Sequence, residues 1–399
     1  MTTISNNNIN PIPEEFTDIA PYDDTQFHEK MAGLVKEPGF EHAIRYVMPD
    51  VDYDAFCREL LAVPSQADFQ YGVMGTFLEM LAARTTSGIT CGGYENIGAG
   101  SSYTFITNHR DIVLDASFLN LCFIRRKMPL TQVAIGNNLL IYDWITDLVK
   151  LNRSFIVKRD GKITEALNSA RKLSAYIHYT INQKHESVWI AQREGRAKDS
   201  NDLTQESLIK MLALAGEGDT KERLLEVNLL PVAISYEYDP NDYLKAREFL
   251  LKRRDPHFHK SQRDDLLSME TGLLKPKGRV HFQLGECIND SLAQAPVSER
   301  GPLVRYCCQL IDRAIHRGYK LFPLNYIAFD EYHDTRRFAD KYTAEDVDSF
   351  NNYINAQLDK VDVPDITREE RDYMRHMVLM MYANPVVNQL RANNQAVIQ

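Results

Sequence analysis

The sequence predicts an α/β protein in which a mostly parallel central sheet has flanking helices, with a helical N-terminal unit and a helical C-terminal extension. Three observations support this prediction. Over residues 91–298, short apolar segments of strand length alternate with helical segments of about a dozen residues, as in a parallel sheet. On both sides of this region, apolar residues recur at helical spacing. The 399 residues are 44% hydrophobic and 25% charged, as in an ordinary globular chain.

The domain boundaries follow from changes in composition. Residues 1–20 are polar, contain Asn and Pro and predict a disordered tail. Residues 21–90 have apolar side chains at helical spacing and predict the N-terminal unit. The glycine-rich segment TTSGITCGGYENIGAGSS follows and predicts a flexible loop, because it combines five glycines with small polar residues. Its glycines match no nucleotide-binding fingerprint. The α/β domain is then expected at residues 91–298 and the C-terminal extension at residues 299–399.

The elements of the α/β domain are predicted in chain order from their periodicity. Strands are expected in SSYTFITNH, QVAIGNN, SFIVKRDG, ESVWIAQREGR, LLPVAISYEYD and GRVHFQLGECI. Helices are expected in DIVLDASFLNLCFIRR, LLIYDWITDLVKL, TEALNSARKLSAYIHYTINQ and LTQESLIKMLALAG. The C-terminal extension has helical patterns in PLVRYCCQLIDRAIHRGYKLF, EDVDSFNNYINAQLDKV and REERDYMRHMVLMMYANPVVNQL.

Charge and cysteine content exclude several classes of protein. The net charge of −9 argues against broad nucleic-acid binding. The six cysteines are irregularly spaced without a CxxC pair, which favours reduced thiols and predicts no metal site. The N-terminal sequence lacks a secretory signal, and no apolar run reaches the roughly 20 residues that a bilayer requires. We therefore expect a cytoplasmic protein that meets a membrane, if at all, peripherally at its inner face.

The segment FITNHRDIVLDASF combines a histidine and two aspartates where a predicted strand leads into a predicted helix. Ligands of open α/β sheets bind at the carboxyl ends of strands. His109 is therefore the candidate general base, because its imidazole is neutral near pH 7 and an aspartate can hold its Nδ1 proton. Asp111 or Asp115 is the candidate partner, and Asn108 and Arg110 are expected to contact substrate. The alternative to a catalytic role is that His109 is an ordinary loop residue and that the two aspartates only stabilise the start of the helix.

Two further strand ends carry basic side chains. Lys158 and Arg159 follow one predicted strand, and Glu194, Gly195, Arg196 and Lys198 follow a later one. Arginine can hold a phosphate through two hydrogen bonds, so these positions suit a phosphorylated alcohol. The apolar strand LLPVAISYEYDP is better suited to form a wall than to carry out chemistry.

These four segments resemble, in order and in chemistry, the motif blocks of the glycerolipid acyltransferase family, the glycerol-3-phosphate and 1-acylglycerol-3-phosphate acyltransferases. The blocks read NHRDIVLD, FIVKR, EGR and LLPVAISYE, and the resemblance covers roughly residues 95–290. It implies transfer of a fatty acyl group from acyl-CoA or acyl carrier protein to the hydroxyl of glycerol-3-phosphate or lysophosphatidate. No other cofactor is implied. His109 would be the general base, and Arg159, Glu194, Gly195 and Arg196 would line the phosphoalcohol site.

Two features differ from the family pattern. Five residues separate His109 from Asp115, where the family usually has four, and one residue separates it from Asp111. We favour Asp115, because a bulge at the start of the helix can absorb an extra residue, while Asp111 stays a competitor. The third block lacks the usual residue between Gly and Arg, which leaves the direction of Arg196 open.

Other functions also fit the sequence. The acceptor can be another lyso-lipid or glycolipid hydroxyl, or the protein can be a catalytically inactive scaffold that binds lipid or a carrier protein. The segment LKRRDPHFHKSQR, residues 251–263, concentrates basic side chains. Such a cluster is typical of a solvated face, and it can also dock anionic lipid headgroups or an acidic carrier protein.

Overall fold

A computed structural model describes residues 12–158 and 163–397, and seven strands in this part of the chain form one sheet. The strands are β1 (Ile89–Gly92), β2 (Thr104–Thr107), β3 (Gln132–Gly136), β4 (Ser154–Val157), β5 (Val188–Ala191), β6 (Leu229–Tyr236) and β7 (Val280–Leu284). Their order across the sheet is β1-β7-β6-β2-β5-β3-β4.

Helices before and within the sheet region cover both of its faces. They are α1 (Asp24–Leu34), α2 (Pro38–Val47), α3 (Tyr53–Ala62), α4 (Gln66–Asp68), α5 (Gly75–Thr85), α6 (Leu114–Arg125), α7 (Asp143–Leu151), α8 (Ile163–Asn182), α9 (Glu206–Leu212) and α10 (Thr220–Glu226). The later helices are α11 (Asp242–Arg254), α12 (Gln262–Leu274), α13 (Asn289–Ala293), α14 (Arg300–Arg317), α15 (Pro323–His333), α16 (Ala344–Leu358) and α17 (Arg368–Ala392). A π-helical segment, Phe69–Met74, joins α4 to α5.

Five neighbouring strands, β6, β2, β5, β3 and β4, run parallel, so their carboxyl ends lie at one edge of the sheet. The strand β7 is antiparallel to β6, and β1 is parallel to β7. The predicted α/β class with a mostly parallel sheet is therefore confirmed. In register, Thr107 of β2 lies between Ala191 of β5 and Val232 of β6. The segments that follow β2 and β5 consequently leave the sheet side by side.

The first described residues pack against the sheet, which corrects the expectation of a disordered tail for residues 12–20. Phe16, Ile19 and Ala20 are buried in the core. The backbone N–H of Ile156 in β4 donates to the carbonyl of Ile19 at 2.9 Å, which gives the edge strand a partner. Residues 1–11 lie outside the described part of the chain.

The glycine-rich segment also differs from its prediction as a loop, because it contains β1. This edge strand has four residues, two of which are the Cys91 and Gly92 that precede the turn at Gly93. Gly93 adopts a φ of 80°, and a side chain there would collide with the carbonyl of Leu284. A strand this short, half-buried and ending in glycines shows no clear alternation in sequence.

The boundary predicted at residues 298 and 299 divides a packed unit. Helix α14 buries Leu303, Val304, Cys307 and Ile311 in the core beneath the sheet, together with α8 and α9. In contrast, α15, α16 and α17 form a separate core with α11. The structure thus assigns α14 to the α/β unit, because its apolar stripe covers one face of the sheet.

In the described part of the chain, no helix combines the length and the apolar character that a membrane crossing demands.

A buried carboxylate joins α11 to the C-terminal helices. Asp242 accepts hydrogen bonds from the hydroxyls of Tyr353 at 2.6 Å and Tyr382 at 2.9 Å, and from the backbone N–H of Tyr243. Burial raises the pKa of Asp242 to about 7 in spite of these donors. The folded protein therefore binds a proton at this position more tightly than the unfolded chain does.

We expect this carboxyl to make the protein less stable as the pH rises. A raised pKa contributes stability below the unfolded value near 4, and that contribution is lost as the pH rises through about 7. Asp242→Asn should abolish this loss. From pH 5 to pH 8, the free energy of unfolding of the variant should therefore rise by about 3 kcal/mol relative to that of wild type. Urea unfolding of both proteins at the two pH values measures the difference. An identical change in both proteins would contradict the prediction.

Candidate functional site

The site begins where β2 ends. Asn108 is fully buried, and its side-chain amide exchanges two hydrogen bonds with the backbone of Ile234 in β6, at 2.8 and 3.0 Å. These bonds extend the pairing between β2 and β6 by one residue and fix the direction in which the chain leaves the sheet. Asn108 does not line the large cavity that lies next to His109. The expectation that it contacts substrate is corrected, because both of its amide atoms hold the backbone.

The next residue, His109, lies against an aspartate. Its Nδ1 is 2.8 Å from Oδ2 of Asp115, which is in the first turn of α6. The same oxygen accepts the backbone N–H groups of Arg110 at 2.6 Å and Asp111 at 3.0 Å. The five residues between His109 and Asp115 therefore fold into a turn around this one carboxylate oxygen. The arrangement fixes the orientation of the imidazole.

Asp111 holds the turn that leads into α6. Its Oδ1 accepts the backbone N–H groups of Val113 at 2.9 Å and Leu114 at 2.8 Å, as an N-cap side chain does. Burial and the neighbouring Asp115 raise the pKa of Asp111, whereas Lys277 acts in the opposite direction. Of the two aspartates, Asp115 contacts the imidazole and Asp111 holds the helix start.

The imidazole of His109 lies at the wall of a cavity of about 1170 Å³. Its side chain is 13% exposed, and its ring meets the edge of Trp189 of β5 with 5.9 Å between centroids. Because Asp115 engages Nδ1, Nε2 is the ring nitrogen left to exchange a proton with a molecule in the cavity. Within residues 12–158 and 163–397, Nε2 makes no hydrogen bond of its own.

Much of this cavity is lined by apolar side chains of the N-terminal helices. Helix α2 contributes Phe40 and Ile44, helix α5 contributes Phe77 and Leu81, and helix α7 contributes Trp144. Strand β3 and the segment after it complete this part of the wall. Helices α2, α5 and α7 thus form an apolar compartment at the carboxyl edge of the sheet.

Cations line another part of the same cavity. They are Lys158, Arg193, Arg196, Lys198, Lys252 and Lys260. The predicted Glu194 and Gly195 also line it, and Gly195 adopts a φ of 65°. Lys158 is exposed and donates to Asp18 at 2.6 Å. The predicted Arg159 lies outside the described residues.

Arg196 is almost fully buried at the cavity wall. Asn241, in the amide orientation that satisfies both of its polar atoms, accepts from Nη1 of Arg196 at 2.9 Å and donates to the carbonyl of Ser268 at 3.1 Å. This contact ties the segment after β5 to α11 and α12. Although the usual residue between Gly and Arg is absent, Arg196 still lines the cavity.

Sequence reasoning missed Arg193, which lies between β5 and the EGR motif. Trp189, Ala191 and Arg193 alternate along the chain and all three line the cavity. Nε of Arg193 is buried and has no hydrogen-bond partner among the described residues. The signal available in sequence was its position, directly before the EGR motif in the segment that follows a predicted strand.

Lys198, predicted with Arg196 at the end of the same strand, also lines the cavity. Its ammonium group donates to Glu248 at 2.6 Å, and the same carboxylate accepts from Lys252 at 3.0 Å and lies 3.7 Å from Lys260. Burial lowers the pKa of Lys198 to about 8. Three lysines therefore surround one glutamate at the cavity wall, and Asp265 lies 3.6 Å from Lys260, so the cations outnumber these carboxylates by one.

The basic segment at residues 251–263 thus has two separate environments. Lys252 and Lys260 line the cavity, whereas Arg253 donates to Glu369 at 2.6 Å and Arg254 to Glu370 at 2.7 Å, both on α17. The second pair of cations anchors the C-terminal helices. The segment is therefore not one continuous docking face.

Arg110 does not reach the cavity, which corrects the expectation that it contacts substrate. Its guanidinium makes two hydrogen bonds to Asp202, at 2.6 and 3.2 Å, and both side chains are buried. The hydroxyl of Tyr319 donates to the same aspartate at 2.5 Å. Arg110 thus neutralises a buried carboxylate and fixes the segment after β5 to the segment after β2.

None of the described residues form a group of three or more His, Cys, Asp or Glu side chains that is placed to hold a metal ion. The six cysteines are free thiols.

No family model matches the chain, and no curated protein matches its sequence. Among solved structures, the chain is similar to the crystal structure of the 1-acyl-sn-glycerophosphate (LPA) acyltransferase PlsC from Thermotoga maritima. The similarity covers 73% of this chain and 94% of that chain, with 11% sequence identity and a TM-score of 0.39.

Proposed function

We propose that the protein is an acyltransferase that moves a fatty acyl group from acyl-CoA or acyl carrier protein to the hydroxyl of glycerol-3-phosphate or lysophosphatidate. The observation that carries the proposal is the His109–Asp115 pair, with 2.8 Å between Nδ1 and Oδ2, at the wall of a large cavity. A histidine oriented in this way can act as a general base toward an alcohol.

The reaction needs no covalent acyl-enzyme. The acceptor hydroxyl oxygen attacks the thioester carbonyl carbon while Nε2 of His109 takes the hydroxyl proton. Asp115 stabilises the imidazolium that forms. The tetrahedral intermediate then collapses, the C–S bond breaks, and the leaving thiolate takes the proton from the imidazolium. Because a thioester already has a good leaving group, alignment of the two substrates and proton removal are the main tasks left to the protein.

The shape and charge of the cavity support this choice of substrates. The apolar wall formed by α2, α5 and α7 suits an acyl chain, and burial of each methylene contributes roughly 0.8 kcal/mol. Arg193 and Arg196, together with Lys158, suit a phosphate group, since guanidinium groups bind phosphate through paired hydrogen bonds. An acyl thioester and a phosphorylated alcohol are the reactants that need both environments around one base.

An acceptor screen tests the proposal. Purified protein is incubated with palmitoyl-CoA and, in parallel, with glycerol-3-phosphate, lysophosphatidate, other lyso-lipids or no acceptor, and free thiol is measured with a thiol reagent. We expect acceptor-dependent thiol release with a phosphorylated glycerol. His109→Ala should reduce it by about 10³-fold or more, because no other base replaces the imidazole.

Other results have distinct meanings. Turnover only with an acceptor that lacks phosphate would replace the acceptor class and keep the acyltransfer. A carrier-protein donor is tested in the same way with palmitoyl-acyl carrier protein. If neither donor supports turnover with any acceptor while His109→Ala and wild type bind lipid equally, the protein is a scaffold and the proposal is wrong.

A further inference from the structure

Arg196 differs from two other buried cations in the partner that its side chain has. Arg110 pairs with Asp202 at 2.6 Å, and Lys245 pairs with Asp239. Arg196 is also buried and lines the cavity, but no carboxylate forms an ion pair with it within the described part of the chain. A buried charge without a counter-ion is costly. The guanidinium of Arg196 therefore favours an anion at this part of the cavity wall.

The partner of Arg196 is a neutral amide. Nη1 of Arg196 donates to the side chain of Asn241 at 2.9 Å, and the same amide donates to the carbonyl of Ser268 at 3.1 Å. Guanidinium nitrogens only donate hydrogen bonds and carbonyl oxygens only accept them, so these two neighbours determine which amide atom of Asn241 is the oxygen. Asn241 is itself buried. Its amide fixes the direction of Nη1 and adds no charge.

Asn241 does not perform the usual task of its position in the fold. It directly precedes α11, where an asparagine side chain commonly accepts a backbone N–H of the first helical turn, but here it makes no such bond. Its own N–H donates to Asp239 at 2.9 Å. Lys245, the partner of Asp239, also donates to the carbonyl of Ala197 at 3.4 Å. The start of α11 thus contacts both Arg196 and the residue after it.

We propose that Asn241 is a positioning residue that holds Arg196 at the cavity wall without neutralising it, so that the guanidinium binds the phosphate of the acceptor. This inference rests on the proposed function, because it concerns the acceptor in the same cavity. A carboxylate in place of the amide would hold the same nitrogen through a stronger, charged hydrogen bond. The phosphate would then compete with an internal anion. A neutral partner orients Arg196 and leaves its charge for the substrate.

The test is the affinity of Asn241→Asp for glycerol-3-phosphate. Binding to the purified full-length protein is measured by isothermal titration calorimetry, with inorganic phosphate as a smaller probe and glycerol as the probe without a phosphate. The variant should bind glycerol-3-phosphate about 10-fold more weakly or worse, because the new carboxylate pairs with the guanidinium. In steady-state kinetics, KM for glycerol-3-phosphate should rise by a similar factor, while kcat at saturating acceptor changes by less than about threefold.

Asn325→Asp is the matched control. Asn325 is also buried, accepts the backbone N–H of Phe322 at 2.9 Å and donates to the carbonyl of Tyr382 at 3.0 Å, but it does not line the large cavity. The control variant therefore gains the same charge and loses the same kind of amide–carbonyl bond, and its affinity for glycerol-3-phosphate should equal that of wild type. In an Arg196→Met background, Asn241→Asp should weaken binding no further.

Asn241→Ala separates orientation from charge and keeps the test decisive if Asn241→Asp does not fold. It removes the anchor of Arg196 and leaves the charge, so it should weaken binding by only about threefold, less than Asn241→Asp does. A purely structural role predicts the reverse order, because aspartate keeps an oxygen for Nη1.

Three results would overturn the proposal. They are a folded Asn241→Asp with wild-type affinity, an Asn241→Ala protein with wild-type affinity or with weaker binding than Asn241→Asp, and a wild type that binds neither glycerol-3-phosphate nor inorganic phosphate. Calorimetry needs no acyl donor. Binding that depends on Asn241 without any acyl transfer would therefore keep this inference and reject the proposed function, whereas transfer with unchanged Asn241→Asp affinity would do the opposite.

Discussion

Replacing Asp115 with asparagine is expected to lower kcat by about 10²- to 10³-fold while KM for both substrates changes little. The amide oxygen can still accept the backbone N–H groups of Arg110 and Asp111, so the turn before α6 is preserved. The negative charge that stabilises the imidazolium is lost, and that charge matters only while His109 carries the proton. Steady-state kinetics of purified wild type and variant at the pH optimum measure the effect.

Asp111→Asn provides the contrast within the same loop. Asp111 contacts the backbone at the start of α6 and not the imidazole, so at least a tenth of wild-type kcat should be retained at the plateau of the pH profile. Circular dichroism and thermal unfolding of both variants exclude misfolding as the cause. If Asp111→Asn were the more damaging change, or if Asp115→Asn kept kcat within threefold of wild type, Asp115 would not be the partner of a catalytic histidine.

Replacing Arg110 with methionine is expected to lower the free energy of unfolding by about 3–5 kcal/mol. The guanidinium and its partner Asp202 are both buried, and the two hydrogen bonds at 2.6 and 3.2 Å neutralise the aspartate. Without Arg110, the carboxylate of Asp202 is left in the interior with only the hydroxyl of Tyr319 and no compensating charge. Urea unfolding monitored by circular dichroism measures the loss.

The matched control is another ion pair of the same chain. Nζ of Lys158 lies 2.6 Å from Oδ2 of Asp18, but both side chains are substantially exposed. Lys158→Met should therefore change the free energy of unfolding by less than about 1 kcal/mol. The two variants also separate binding from stability. An Arg110→Met protein of wild-type stability with a much raised KM for the phosphorylated acceptor would restore Arg110 as a substrate contact and contradict the observed pairing.

The parts of the fold that could be predicted are those governed by local periodicity. The strands β2 to β7 and the helices α6 to α9 were each expected near their observed positions, because alternation between strand and helix patterns repeats along the chain. The short strand β1 was missed, since its glycines and half-buried residues carry no clear period. The packing of α14 under the sheet was missed as well, because an apolar stripe shows that a face is buried and not what covers it.

The candidate site divides in the same way. Residue types and spacing placed His109 and its two aspartates at a strand end, and they left the choice between Asp111 and Asp115 open. That choice depends on which carboxylate the turn directs at the ring, and backbone N–H groups of the intervening residues decide it. Asn108 and Arg110 were expected to contact the substrate. Instead, Asn108 is hydrogen-bonded to Ile234 and Arg110 to Asp202, and both partners are more than 90 positions away in sequence.

By itself, the sequence determined the class of fold, the strand end that carries His109 and the basic character of the neighbouring strand ends, because each follows from local pattern and from the chain order of elements. Only the tertiary structure decided which cations line the cavity and which are paired with buried carboxylates. These properties depend on pairings between distant segments, and the cost of burying an unpaired charge makes such pairings selective. The local sequence around a buried charged residue does not predict which distant residue it pairs with.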